Sequence, residues 1–324
     1  MELELGNRMD ERRQTLSRRD FMVRSTLTAG AVLAGGIAEA EAPKAKVIVV
    51  TTKADIGAGK PIPFPLVQQM IEKGVTALAG KSDPMQAWAT YVRASDSVGL
   101  PTAGGQMESI PEVNAAVYLA LMKLGVNKMN IGTHRMSSTW KKSVTDLMGD
   151  KAPQFITGKL FGIADLTNDS LVVLPTVKHH DVAGVSAGLK LYACFSKKGP
   201  WNYHGETPKE DPRWDGKSGG SMGACGWVPA NEYKTTRKLH IIDMIRVGGS
   251  SRGFTAWPDG WVYTKSLVFS TDPVAADRVA LDMYLKVAQP SGRLDPLYHI
   301  ERADKEYKAG DSDLAKIDVR RITV

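Results

Sequence analysis

The run Lys46-Val47-Ile48-Val49-Val50-Thr51-Thr52 constrains this chain more than any other segment. Four consecutive β-branched apolar residues describe a strand that needs cover on both sides, because successive side chains of a strand point to opposite faces. Helix signatures supply that cover. Pro65 opens a segment carrying Leu66, Val67, Met70 and Ile71 to about Leu78. Ser109-Ile110-Pro111-Glu112 reads as a helix start, with Ser109 as N-cap and Glu112 completing a capping box. Val113, Val117, Ala120, Leu121 and Leu124 then share one face, and Gly125 stops the helix.

Further strands are predicted around 129–133, 171–174, 239–247 and 266–270, and further helices over about 182–195 and 273–287. Strands alternating with helices predict an α/β fold, a mostly parallel sheet covered by helices, with one long Gly/Pro/Trp-rich loop over 199–228. Ligands of such sheets bind outside the carboxyl ends of the strands.

The first residues have a different character. Ser17-Arg18-Arg19-Asp20-Phe21-Met22 has the twin-arginine pattern, and no charge appears from Ser25 to Ala38. That stretch is too short and too weakly apolar for a membrane-spanning helix. Ala38-Glu39-Ala40 and Ala40-Glu41-Ala42 are small-x-small cleavage sites. The expectation is a signal peptide over 1–42, a single α/β domain over 43–324, passage through the twin-arginine translocase, and a periplasmic or other extracytoplasmic location, with no membrane span in the mature form.

Residues 1–42 hold six Arg against seven Asp and Glu, a net of −1, so the chain's formal +7 becomes +8 for the remainder. A basic domain favours anionic small-molecule partners. Nucleic acid is not expected, since no Lys/Arg run is interleaved with aromatics. The two cysteines, Cys194 and Cys225, are too few for an iron–sulfur cluster, which takes four thiolates, although after export they could pair.

Gly57-Ala58-Gly59-Lys60 fails as a phosphate loop, because Ala54 stands where the first glycine belongs and Pro61 replaces the hydroxyl residue. Gly184-Val185-Ser186-Ala187-Gly188 matches a nucleophile elbow, and Asp272 or Asp277 followed by His299 would complete a hydrolase order. Pro175-Thr176-Val177-Lys178-His179-His180-Asp181 places two prospective cations and a carboxylate just past a strand, with Lys190 ten residues beyond His180. Asp272 reads as the N-cap of a helix opened by Pro273, and Asp277 lies on the same side of that helix.

These segments carry a resemblance. Pro175, Lys178, His180, Gly184, Val185, Ser186 and Lys190 follow P-x-x-K-x-H-x-x-x-G-V-T-x-x-x-K-N, and Ser270 with Asp272 to Asp277 follows S-x-D-P-V-A-x-D. Both are similar to the uncharacterised domain-of-unknown-function family 362, many of whose members carry twin-arginine signals. Leu100-Pro101-Thr102 stands where the family has Lys-x-Asn, His134-Arg135 replaces Asp-Arg, and Leu191 replaces the final Asn. Some relatives carry ferredoxin-like cysteines, which this chain lacks.

The combined expectation is a basic site of Lys178, His180, Lys190 and Asp277. Asp272, His134 and Arg135 border it, and His204 reaches in from the long loop. The lysines would bind an anionic group while His180 transfers a proton. A divalent metal held by His180 with an Asp is a variant of that site. A Ser186-dependent hydrolase and a non-catalytic binding protein are the alternatives.

Overall fold

The computed structural model describes residues 44–102, 109–134, 138–151, 169–180, 183–198, 202, 203, 205, 222–248, 261–288 and 295–324. In chain order the elements are β1 (Ala45–Thr51), α1 (Phe64–Ala79), α2 (Pro84–Tyr91), β2 (Val98–Pro101), α3 (Pro111–Lys123), β3 (Ile131–His134), α4 (Ser138–Met148), β4 (Ser170–Val173), β5 (Lys178–His180), β6 (Gly184–Ser186), α5 (Gly188–Cys194), α6 (Trp227–Asn231), β7 (Arg237–Met244), β8 (Val247–Gly248), β9 (Trp261–Val262), β10 (Ser266–Ser270), α7 (Pro273–Leu285), α8 (Tyr298–Lys305) and β11 (Ile317–Thr323). Lys44–Val324 cohere as one unit.

Seven strands form the main sheet in the order β11-β1-β10-β7-β4-β2-β3. Only β10 runs against its neighbours, β1 and β7; β11 and β1, β7 and β4, β4 and β2, and β2 and β3 pair in parallel. The mostly parallel α/β architecture follows from β1. Ile48 and Val50 join a core with Val67, Met70, Ile71 and Val75 of α1, whereas Val47 and Val49 join a second core with Val274 and Ala275 of α7 and Leu189 and Tyr192 of α5. Each of these four β1 side chains is almost wholly buried, which stabilises the fold by about 2 kcal/mol apiece. Helix α1 lies so close to the sheet that a Cβ at Gly74 would stand 2.2 Å from the Phe269 ring.

A charged clasp ties the far half of the sheet together. The Arg237 guanidinium reaches both Asp96 carboxylate oxygens at 2.6 and 2.5 Å, and Asp96 also accepts from the Ser170 hydroxyl at 2.5 Å and the Arg93 amide at 2.8 Å. Burial pushes the Asp96 carboxyl up, but these hydrogen bonds and the guanidinium charge outweigh it and hold the carboxyl below its ordinary value.

Two local expectations are corrected. Helix α3 begins with Ile110 as N-cap and no side-chain cap; Ser109 turns away to donate to Asp243 Oδ2 at 3.2 Å. The predicted helix over 182–195 is a β-hairpin followed by a short helix. Lys178, His179 and His180 face Ser186, Val185 and Gly184 across an antiparallel pair, and helix begins only at Gly188. Gly184 has a φ of 71°, a left-handed turn conformation that ends any helix there. Cys194 and Cys225 are free thiols.

Candidate functional site

Asp277 joins the two motif-bearing segments. It sits 1% exposed on α7, and its Oδ1 and Oδ2 accept from the Gly188 and Leu189 amides, each at 2.8 Å. The first amides of a helix have no partner within it, so this carboxylate caps α5 from another element. Glycine is needed at 188, because a Cβ there would lie 2.9 Å from Asp277 Oδ1. Burial raises the Asp277 carboxyl to about 7 against the pull of the two amides.

Around this joint lies a buried polar group that the sequence reading did not single out. His240, in the middle of β7 and fully buried, has Nδ1 3.3 Å from the Ser270 carbonyl and Nε2 2.9 Å from the Tyr192 hydroxyl. A carbonyl can only accept, so Nδ1 donates to Ser270; burial keeps the ring neutral, and Nε2 therefore accepts from Tyr192. Burial pulls its pKa down to about 3. A histidine placed within an otherwise apolar strand run is the signal that could have revealed it.

Lys190 is half-buried on α5, with Nζ 3.0 Å from the half-buried Cys194 thiol. Its charge also acts on the wholly buried Cys225, as does that of Asp277, and burial drives the Cys225 thiol far up. Lys190, Asp277 and the two thiols therefore form one neighbourhood. Lys178 is half-buried and His180 is 6% exposed; both sit on the hairpin that leads into α5.

Asp272 is engaged differently. Its Oδ1 accepts from the Val274 and Ala275 amides and its Oδ2 from the Asp311 amide, so it caps α7 and pins the C-terminal segment. Burial raises it to about 6. His134 closes β3 at the carboxyl end of the sheet, beside Pro101 of β2. Arg135 and His204 lie outside the described residues, as does Asp181.

Ser186 ends β6 two residues before α5 and is 6% exposed. Its backbone has no positive φ, so the strained turn of a nucleophile elbow is not formed there. His299 is buried on α8; desolvation lowers its pKa to about 4, and the Ala183 carbonyl opposes that shift. Among the described residues no group of three His, Cys, Asp or Glu side chains is placed to hold a metal ion, and no helix is long and apolar enough to cross a membrane.

A second polar group lies at the carboxyl end of the parallel strands. Fully buried Asp243 accepts from the Ile110 amide at 2.7 Å, the Ser109 hydroxyl at 3.2 Å and the Ile245 amide at 3.0 Å. It therefore holds the start of α3 as Asp277 holds that of α5. The Arg246 guanidinium stacks on Trp261, with Cζ 4.4 Å from the ring centroid. Burial raises the carboxyl of Glu112, in the first turn of α3; Asp243 adds to that rise and Arg246 opposes it.

Comparison with known proteins bears on the same segments. No curated protein and no solved structure matches the chain. The family described as Domain of unknown function (DUF362) matches residues 142–282. That span runs from α4 into α7 and includes Lys178, His180, Ser186, Lys190, Asp272 and Asp277. Over this span, from α4 into α7, the chain is similar to the DUF362 family.

Proposed function

We propose that this is an exported protein that binds an anionic small molecule where the β5–β6 hairpin meets α5. Lys178 and Lys190 supply positive charge, and His180 serves as the proton-transfer group. The observation that carries the reading is the Asp277 carboxylate on the Gly188 and Leu189 amides, which links two segments about ninety residues apart at the head of the Lys190 helix. In this reading Asp277 is a positioning residue, since both its oxygens already hold amides. A half-buried lysine gains more from an anion than an exposed one, because the surrounding protein weakens solvent screening.

The test is calorimetric titration of the full chain with mono- and dicarboxylates and inorganic phosphate. One of these is expected to bind wild type. Lys178→Ala and Lys190→Ala should each weaken it tenfold or more, as loss of one charge-assisted hydrogen bond of about 2 kcal/mol requires. Undiminished binding in both variants, or no binding by wild type, would overturn the reading. The Gly184–Gly188 sequence pattern alone keeps a serine hydrolase as the second reading, against the missing elbow turn. Covalent labelling of Ser186 by a phosphonate probe would select it.

Export rests on the twin-arginine motif and the small-residue cleavage sites. Replacing Arg18 and Arg19 together with Lys is expected to leave folded precursor in the cytoplasm. A mature-sized product outside the cytoplasm from that variant would sink the assignment.

A further inference from the structure

We propose that the carboxyl end of β2, β4 and β7 binds a small zwitterion of the amino-acid class. Its carboxylate is held by Arg246 with Thr176, and its ammonium group by Glu112. This position shares no residue with the Lys178–Lys190 site, so either can fail alone.

Two buried donors without acceptors point to it. Arg246 Nε is shielded from solvent and has no hydrogen-bond partner, and the same is true of the hydroxyl of Thr176, which is 1% exposed. Such groups are rare in folded proteins because each forfeits its hydration without compensation. The two belong to interlocked segments. Thr176 bridges Asp243 in parallel, the Asp243 amide donates to the Pro175 carbonyl at 2.8 Å, and the Gly248 amide donates to the Val177 carbonyl at 3.1 Å. Residues 243–248 thus wrap residues 175–177, with Arg246 on the bend. Stacking on Trp261 fixes the plane of its guanidinium, a fork that suits a carboxylate. The location is the one where sheets of this kind bind their ligands.

Local charge narrows the ligand further. Asp243 is committed to three donors and contributes only its charge. Among the described residues, Asp243 and Glu112, whose carboxyls burial raises, set two acidic groups against the one cation of Arg246, which disfavours a dianion such as phosphate. A carboxylate that brings its own ammonium group adds no net charge. Glu112 is half-buried, and the hydrogen bond its carboxylate accepts among the described residues comes from its own amide, which leaves it further acceptor capacity for that ammonium.

The full chain carrying Lys190→Ala, which disables the Lys178–Lys190 site, is titrated with the common L-amino acids, and with acetate, methylammonium and inorganic phosphate as probes of each part. At least one amino acid is expected to raise the melting temperature and bind at millimolar concentration or tighter, where the three partial probes do not. Arg246→Gln and Glu112→Gln should each weaken binding tenfold or more. The near-isosteric Thr176→Val, which leaves the surrounding charges in place, should weaken it severalfold. Melting without ligand confirms that each variant folds. The proposal is overturned if no amino acid binds, if acetate or phosphate binds as well as the best amino acid, or if binding persists unchanged in Thr176→Val and Arg246→Gln.

Discussion

Asp277→Ala is expected to destabilise the protein by about 4 kcal/mol, read as a lowered urea midpoint with little change in slope. The carboxylate is 1% exposed and each oxygen holds one amide of α5 at 2.8 Å. Its removal strands two buried N–H groups, at roughly 1–3 kcal/mol each, and leaves a small void. Asp277→Asn keeps the volume and one acceptor but turns an NH2 group toward an amide donor, so about half the loss is expected. Gly188→Ala approaches the same joint from the other side: its Cβ would lie 2.9 Å from Oδ1 and must push the carboxylate off the amides. A midpoint unchanged in Asp277→Ala would mean that α5 is held by its apolar face alone. Lys190, one turn into α5, is carried on this joint, so anion binding should weaken along with stability.

The fold was legible where the physics is local. The β-branched run at 46–52 required cover on both faces, and the two cores divide its side chains accordingly. Asp272 and Pro273 announced α7, because a cap and its helix lie next to each other in sequence. Caps supplied from a distance were not legible. Ser109 and Glu112 formed a local capping pattern, yet Asp243, more than a hundred residues away, takes the Ile110 amide and the Ser109 hydroxyl. The same reason hid the start of α5, where small residues are compatible with helix and only Gly184 with its positive φ and the reach of Asp277 decide between hairpin and helix. Arg246 and His240 went unremarked because one cation after a strand, or one histidine within it, carries no periodicity. Their significance arises from Trp261, Tyr192 and Ser270, which the topology brings to them.

His240→Phe is expected to cost stability near neutral pH and to lose most of that cost as the pH falls from about 6.5 to 4. Wild-type His240 must stay neutral in the fold, where its pKa is about 3, whereas in the unfolded chain it takes a proton near its ordinary 6.5. A depressed folded pKa means that the unfolded state binds more protons below pH 6.5, so the contribution of His240 is full above that value and drains away in acid. The slope approaches about 1.4 kcal/mol per pH unit for one proton. Phenylalanine fills the site without titrating; it forfeits the bonds to Tyr192 and Ser270 at every pH but escapes the acid penalty. His299, with its pKa lowered to about 4, adds a slope of the same sign. Asp277 and Asp272, raised to about 7 and about 6, act in the opposite sense. Their folded forms take protons first, so their contribution is full below the ordinary carboxylate pKa near 4 and declines as the pH rises toward 6 and 7. Burial also raises the Asp243 and Glu112 carboxyls, which act in the same sense as Asp272 and Asp277, so removing His240 should make stability fall more steeply as the pH rises from 4.5 to 6. Urea midpoints at pH 4.5, 5.5 and 7 decide the matter. A destabilisation of His240→Phe that is the same at all three would show that this ring does not titrate on unfolding, and that Tyr192 and Ser270 serve only to orient it.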